Sequence, residues 1–134
     1  MLTQDYWGNF QVNDEQLTPI QILKEQASAL NERIGQHIKA SVYTSPPLDL
    51  TRRFRSTLAV RVPSLNRYSL DIVTISYPLG EYYPLVLSDD LADGEEALAE
   101  VPCESEQIFR NELHRILSSK RTTYTLSSLL SLVA

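Results

Sequence analysis

One stretch of the chain, from Arg53 to Leu87, constrains the fold most, because it contains three strand-like segments separated only by short turns. Short turns predict antiparallel neighbours, since a parallel pair needs a crossover of about a dozen residues or more. Apolar side chains fall on both alternating faces of these segments. A small antiparallel sheet commonly keeps one face polar, so a second apolar face predicts cover by another layer or another molecule.

The first two segments are interpreted as a hairpin. Arg52 to Val62 alternates with period two, Pro63 to Arg67 forms the turn, and Tyr68 to Tyr77 is the returning strand. The length of the turn sets the register, and one face of the hairpin is then apolar. The pairs predicted on this core face are Val62 with Tyr68, Val60 with Leu70, and Leu58 with Ile72.

The opposite face of the same sheet is the predicted partner surface. The register predicts these neighbours there: Arg61 near Ser69 and Asp71, Thr57 with Val73, Arg55 with Ile75, and Arg53 with Tyr77. The third segment, Tyr82 to Leu87, has Pro84 at an edge or bulge and turns Tyr82, Pro84 and Val86 outward. Arginine and aromatic residues dominate interface hot spots. The candidate partner-binding residues are therefore Arg53, Arg55, Val73, Ile75, Tyr77, Tyr82 and Val86.

A helix precedes the strands. Thr18-Pro19-Ile20-Gln21 matches a capping box with proline at the first helical position, which predicts a helix from Pro19 to about Ile38. An apolar stripe at spacings of three and four residues indicates that this helix packs on another element. Ala40 to Thr44 then predicts a short strand.

Two more helices are predicted after the strands. Ser105 caps the first, which ends near Ser118, and the second begins at about Thr122. The fold class is α+β: an N-terminal helix, an antiparallel β-meander of about four strands, and two C-terminal helices packed on one sheet face. The chain is interpreted as one domain, with an N-terminal arm at 1–15 and an acidic loop at 88–103.

Three short motifs carry a resemblance to a known family. They are Val62-Pro63-Ser64-Leu65-Asn66-Arg67-Tyr68, Tyr83-Pro84-Leu85-Val86 and Ile116-Leu117-Ser118-Ser119. From about Leu23 to the end, the chain is similar to a family of small bacterial α+β proteins of unknown function, often cyanobacterial. These are turn and core residues, so the resemblance implies a fold and a bacterial origin but no activity. The acidic segment from Asp89 to Glu100 departs from the family's pattern.

The acidic loop has the spacing of a calcium site in one interpretation. With Gly94 as the turn glycine, Asp89, Asp93 and Glu100 occupy the first, fifth and twelfth positions of an EF-hand loop. However, Leu91 occupies the third ligand position, and a strand precedes the loop where an entering helix is required. We therefore predict a solvated loop without a metal.

Charge and cysteine content narrow the function classes. A net charge of −5 and a pI near 5.0 repel phosphates, which argues against nucleic acid as the partner of the arginine-rich hairpin. The single cysteine, Cys103, excludes an internal disulfide, and the N-terminus lacks the layout of a signal peptide. The apolar stretch Leu126 to Ala134 is too short to span a bilayer of about 30 Å. We expect a cytoplasmic protein without membrane contacts.

No catalytic constellation is recognisable in the sequence. His37 and His114 lie on or beside predicted helices without a nucleophile next to them, and Cys103 has no partner histidine in an evident motif. Glycine-rich phosphate loops and metal-binding motifs are missing as well. We therefore predict that the protein is not an enzyme and uses no cofactor.

The sequence predicts a non-enzymatic protein-binding domain of the adaptor, chaperone or immunity type, which self-associates as a homodimer or higher oligomer through the outer face of the sheet. In one alternative, the aromatic arm Tyr6-Trp7-Gly8-Asn9-Phe10 covers that face instead. In another, a small ligand or nucleotide binds between the first helix and the sheet, near Tyr43, Arg53 and Tyr83, or between protomers.

Overall fold

The computed structural model of the protein describes residues 4–9, 17–47, 52–92 and 100–134. Its helices and strands, in chain order, are α1 Pro19–Ile34, β1 Lys39–Ser45, β2 Arg53–Val62, β3 Tyr68–Pro78, β4 Leu85–Asp89, β5 Glu100–Cys103, α2 Glu106–Leu117 and α3 Lys120–Val133. The predicted class is confirmed: the fold is α+β, with an N-terminal helix, an antiparallel sheet and two C-terminal helices.

The sheet has five strands in the order β1-β2-β3-β4-β5, and each neighbouring pair is antiparallel. The additional strand relative to the prediction is β5, which lies inside the segment predicted as an acidic loop. Glu100 and Pro102 are poor strand formers, so pairing with β4 and burial of Cys103 decide the conformation. Pro102 is tolerated because β5 is an edge strand. Residues 93–99 of that loop are outside the described residues.

Helix α1 begins at the predicted residue. The backbone N–H of Gln21 donates to Thr18 Oγ1 at 3.2 Å, and the N–H of Thr18 donates to Gln21 Oε1 at 2.8 Å, which completes the capping box. The helix ends at Ile34, earlier than the predicted Ile38. Ile38 is instead fully buried just before β1, where it fills the core.

The turn between β2 and β3 has the predicted register at its start. Val62 pairs with Tyr68 and Val60 with Leu70. Asn66 closes the turn with a φ of 55°, in the left-handed region that asparagine tolerates better than most residues. The hairpin prediction is therefore confirmed for this half of the strands.

A β-bulge then changes the register of the hairpin. Ala59 pairs with Asp71, whereas Leu58, the residue before Ala59 in β2, pairs with Val73. Ile72 is therefore the extra residue of β3. The backbone carbonyl of Ile72 keeps a hydrogen-bond partner at the bulge, because it accepts from the backbone N–H of Asp90, just after β4. The later pairs are Thr57 with Thr74, Arg55 with Ser76, and Arg53 with Pro78, in place of the predicted Val73, Ile75 and Tyr77.

The bulge sends the apolar side chains of β3 into the core. A one-residue shift moves every later side chain to the opposite face of a strand. Val73, Ile75 and Tyr77 are therefore only 0, 0 and 3% exposed, within the same apolar cluster as Leu58 and the buried residues of the helices. Their predicted position on the outer face is wrong. The apolar β3 residues that the sequence assigned to a second face are therefore part of a single core.

The other side of the sheet is polar, and we call it the helix-free face. The helices contribute their buried residues to the cluster on the core side, so none of the helices in the described part of the chain lies on this face. The register defines its members as Lys39, Ser41, Tyr43, Ser45, Arg53, Arg55, Thr57, Ala59, Arg61, Ser69, Asp71, Thr74, Ser76, Pro78, Val86, Ser88, Glu100 and Pro102.

Strand β1 is an edge strand, and a side chain of α1 covers part of its edge. Asn31 Nδ2 donates to the carbonyl of Ala40 at 2.9 Å, and the N–H of Ala40 donates to Asn31 Oδ1 at 2.7 Å. The amide group thus makes the two hydrogen bonds that a neighbouring strand would make. It protects this residue of the edge from pairing with another chain.

Candidate ligand pocket and the helix-free face

The predicted partner-binding residues lie in three different places. Arg53, Arg55 and Val86 share the helix-free face, Tyr82 lies in the loop before β4, and Val73, Ile75 and Tyr77 lie in the core. Tyr82 is half-buried and packs on Tyr77, with their ring centroids 6.1 Å apart. The residues therefore do not form one continuous surface.

The aromatic arm does not cover the helix-free face in its described part. Tyr6 and Trp7 are 85 and 82% exposed, which is too open for side chains that pack on a sheet. Phe10, the third aromatic residue of the predicted arm, lies outside the described residues.

The two predicted arginines are held differently on the helix-free face. Arg53 donates from Nε to Ser76 Oγ at 2.8 Å and from Nη2 to the carbonyl of Ser76 at 2.6 Å. Arg55 is exposed, and its positive charge acts on the nearby carboxylate of Asp90. One arginine is thus fixed to β3, whereas the other extends towards solvent.

Side-chain hydrogen bonds connect β2, β3 and Asp90, the residue after β4, at the centre of the helix-free face. Thr74 Oγ1 donates to Asp90 Oδ2 at 2.6 Å and lies 3.0 Å from Thr57 Oγ1. Because Thr74 has one hydroxyl proton and gives it to Asp90, Thr57 is the donor between the two threonines. Beside this chain, Tyr43 donates to Asp71 at 2.9 Å. The centre of the face is therefore ordered without a partner.

Two groups of this network have raised pKa values. Partial burial is the main cause for the Asp90 carboxyl, and the neighbouring charges of Asp71 and Asp89 also raise its pKa, against the hydrogen bond from Thr74. Desolvation likewise raises the pKa of the Tyr43 phenol, as does its bond to Asp71. Both effects favour the protonated phenol, which is the form that donates to Asp71.

Charges on the helix-free face fall into three bands along the strands. Lys39 and Arg61 form a positive band at one end of β2, where they are cross-strand neighbours. Asp71 and Asp90 lie in the middle, and Arg53 and Arg55 form a second positive band. A complementary surface would carry the opposite order of charges.

A pocket of about 260 Å³ lies on the core side, between α1, α3 and the sheet. Apolar side chains form most of its wall, and three of the sheet residues below it are almost fully buried. The apolar lining consists of Ala29, Leu30, Ile34, Leu58, Val60, Ile72, Leu117, Leu126 and Leu130, and the polar lining of Gln26, Arg33, Thr122, Thr123 and Ser127. We call it the α1–α3 pocket.

The pocket exists because α3 lies loosely over the sheet. Of its residues only Thr122 and Leu129 are buried, while Leu126 and Leu130 remain half-buried although they belong to its apolar stripe. On the opposite wall, the small side chain of Ala29 leaves the space between the helices open. Apolar side chains that pack against each other in most protein cores therefore line a cavity here.

Among the described residues that line the α1–α3 pocket, Arg33 is the only ionisable one. Its side chain is exposed at the rim, and none of the ion pairs found among the described residues includes it. The buried Thr122 hydroxyl donates to the carbonyl of Ile116 at 2.8 Å and accepts from Ser119, so it is committed to the structure. The pocket combines an apolar interior with a single positive charge at its rim.

Two further side chains outside the pocket, Cys103 and Tyr83, have raised pKa values. Burial raises the pKa of the Cys103 thiol to about 11, and the residue is fully buried. Burial also raises the pKa of Tyr83 to about 12, with a contribution from the charge of Glu106. Tyr83 lies near Cys103 and α2, whereas Tyr43 and Arg53 lie on the helix-free face. The ligand site predicted near these three residues is therefore not where the pocket lies.

Metal-binding clusters and membrane-spanning helices are missing from the residues that the structure describes. Within 4–9, 17–47, 52–92 and 100–134, no group of three or more His, Cys, Asp or Glu side chains is arranged to hold a metal ion. The calcium-loop interpretation depends on Asp93, which is outside these ranges. No helix in the described part of the chain has the length and apolar character that crossing a bilayer requires.

Sequence reasoning missed the pocket, although it identified some of its wall. Leu30 and Ile34 belong to the apolar stripe predicted for α1, and Leu126 and Leu130 belong to that of α3. A stripe shows which side of a helix faces inward, but not how closely two helices approach each other. No signal in the sequence marks the gap between them.

No family model, curated protein or solved structure matches this chain.

Proposed function

We propose that the protein binds a small, mainly apolar ligand in the α1–α3 pocket, between the first helix, the last helix and the sheet. The observation that carries the proposal is the pocket itself, with its apolar lining and one charged residue at the rim. Ligand sites are typically concave and largely apolar, with a few polar groups that fix orientation. This revises the ligand-binding alternative from the sequence, with a different set of lining residues.

The size of the pocket supports a ligand larger than benzene. An engineered apolar cavity of about 150 Å³ stays dry and binds benzene or xenon. The α1–α3 pocket measures about 260 Å³ and is partly open to solvent. Binding would remove half-buried leucine side chains from water, at about 25 cal/mol for each Å² of apolar surface.

Binding without catalysis fits the lining best. General acid or base chemistry needs a titratable group within hydrogen-bond reach of the substrate. Among the described residues, none with a carboxylate, imidazole or thiol side chain lines the pocket. The absence of an enzymatic activity, expected from the sequence, is therefore part of this proposal.

Calorimetric titration with 1-octanol tests the proposal, with one variant that fills the pocket. Ala29→Leu places a larger side chain in the wall of the pocket, whereas Ser28→Leu adds the same side chain next to it, outside the lining. We expect 1-octanol to bind the unmodified protein and Ser28→Leu, and to bind Ala29→Leu at least about tenfold more weakly. Equal affinity for all three proteins, or no binding to any, would refute the proposal.

A second candidate is a protein partner on the helix-free face. The observation in its favour is the ordered network of Tyr43, Thr57 and Thr74 with exposed charges around it, since a pre-organised surface loses less entropy on binding. A second copy related by a two-fold axis through the aspartate band would place like charges together. The three bands therefore fit a different protein better than self-association.

Self-association through this face stays a prediction, and light scattering coupled to size exclusion tests it. A dimer that becomes monomeric in Arg55→Glu would support the isologous interface expected from the sequence. A protein that stays monomeric at all concentrations would argue against self-association and leave a different protein as the candidate partner of this face. The sequence has a single cysteine and therefore no internal disulfide, as is usual for proteins of reducing compartments, and the proposal places both candidate functions in the cytoplasm.

A further inference from the structure

We propose that the α1–α3 pocket selects a linear alkyl carboxylate, with its carboxylate paired to Arg33 at the rim and its alkyl chain lying between α1 and α3. This inference rests on the proposed ligand pocket and names the ligand's chemical class. The guanidinium group is the only charge among the described residues of the lining, so a ligand with one anionic end and an apolar body is electrostatically complementary.

The surroundings of Arg33 favour an anion. Arg33 also lines a neighbouring hollow at the end of α1, together with Lys39 and His37 and one carboxylate, that of Glu32. Glu32 is not part of the α1–α3 pocket, and adjacent residues of a helix do not face each other. A cationic ligand would meet Arg33 without a counter-charge from the lining.

A planar carboxylate suits this rim better than a phosphate does. Arginine binds carboxylates through two parallel N–H···O bonds, and the exposed Arg33 side chain is available for such a pair. Phosphate sites usually add several backbone N–H groups or further cations. The remaining polar residues of the rim are neutral: Gln26, Thr123 and Ser127.

The dimensions of the pocket indicate a medium chain length. Gln26 and Arg33 are seven positions apart on α1, which corresponds to about 10 Å along the helix axis. An extended chain advances roughly 1.2 Å per bond, by analogy with about 3.5 Å per residue for three backbone bonds. About eight carbon atoms therefore span this distance, and octanoate is the probe of choice.

The test compares octanoate with 1-octanol by calorimetric titration on three proteins: the unmodified chain, Arg33→Gln, and Arg61→Gln. The last variant removes an exposed arginine from the helix-free face and controls for net charge. We expect Arg33→Gln to bind octanoate about tenfold more weakly, the usual scale for one charged hydrogen-bonded pair, with unchanged affinity for 1-octanol. Arg61→Gln should bind both ligands like the unmodified protein.

The outcomes separate this inference from the proposed function. If 1-octanol binds but octanoate affinity does not depend on Arg33, or falls equally in Arg61→Gln, the carboxylate assignment is wrong and the apolar pocket stands. If neither ligand binds the unmodified protein, the proposed function itself fails. Added salt is a second readout, because screening should weaken octanoate binding in the unmodified protein and leave 1-octanol unaffected.

Discussion

Individual side chains on the helix-free face are held by neighbours from other strands, and Asp90 is the clearest case. Its carboxylate accepts the Thr74 hydroxyl, and its backbone N–H donates to the carbonyl of the bulge residue Ile72. The sequence shows Asp90 only as part of an acidic run. Its pKa is raised mainly by partial burial and further by the charge of Asp71, which is close to it only because β3 and β4 are neighbours.

The raised pKa of Asp90 predicts how stability depends on pH. A carboxyl whose pKa is higher in the folded than in the unfolded state binds its proton more tightly when folded, so its contribution to stability is present at low pH and is lost as pH rises through the folded-state pKa. Asp90→Asn keeps an acceptor for Thr74 without the charge. We expect this variant to be at least as stable as the unmodified protein at pH 7, and relatively less stable near pH 4.

Urea unfolding at several pH values measures this difference, with Glu81→Gln as a control that removes one exposed carboxylate. The control should follow the unmodified protein across the range. A variant Asp90→Asn that loses more stability at pH 7 than at pH 4 would mean that the folded protein favours the charged aspartate, against the prediction.

Secondary-structure elements meet through two features that local sequence does not reveal, the bulge at Ile72 and the clamp between Asn31 and Ala40. The helix start at Thr18 and the hairpin turn follow from short-range rules and are confirmed. The bulge cannot be predicted from short-range rules, because period-two alternation continues on both sides of it. Only long-range packing selects the sheet face that the side chains occupy.

The bulge predicts a large difference between two alanine substitutions on neighbouring strands. Ile75→Ala removes a fully buried side chain and should cost roughly 2–5 kcal/mol of unfolding free energy. Val86→Ala, on the helix-free face and only half-buried, should cost about 1 kcal/mol or less. Denaturant unfolding of both variants measures this, and equal small losses would indicate the register without a bulge.

The clamp on β1 predicts a loss of both stability and solubility in Asn31→Leu. The substitution removes two hydrogen bonds to Ala40, which should cost roughly 1–3 kcal/mol, and it uncovers a sheet edge. Asn111→Leu, at an exposed position on α2, is the matched control and should stay within about 0.5 kcal/mol. Unfolding and static light scattering check the two effects, and equal behaviour of the variants would contradict the role of the clamp.

At the scale of the whole molecule, the three helices cover one sheet face unevenly. α1 buries Ile22, Leu23 and Ala27 against the sheet, while α3 buries little beyond Leu129 and Thr122. The uneven cover leaves the α1–α3 pocket, and it also predicts an order of local stability.

We expect α3 to exchange its amide hydrogens faster than β2 and β3. Elements with few buried apolar contacts open locally at low free energy, whereas central strands open only with the whole domain. Hydrogen exchange followed by mass spectrometry measures this order. Octanoate should slow exchange in α3 and the C-terminal half of α1 if it fills the pocket, and unchanged α3 exchange under saturating ligand would argue against that location.

The sequence alone determined the type of every helix and strand except β5, and most of their limits, because capping boxes, turn residues and hydrophobic periodicity act over a few neighbouring residues. It also determined that Leu58, Val60 and Val62 face the core. Only the tertiary structure decided which face Val73, Ile75 and Tyr77 occupy, that Glu100–Cys103 is a strand, and that a gap separates α1 from α3. Each of these depends on contacts between residues far apart in the chain, where packing outweighs local preference.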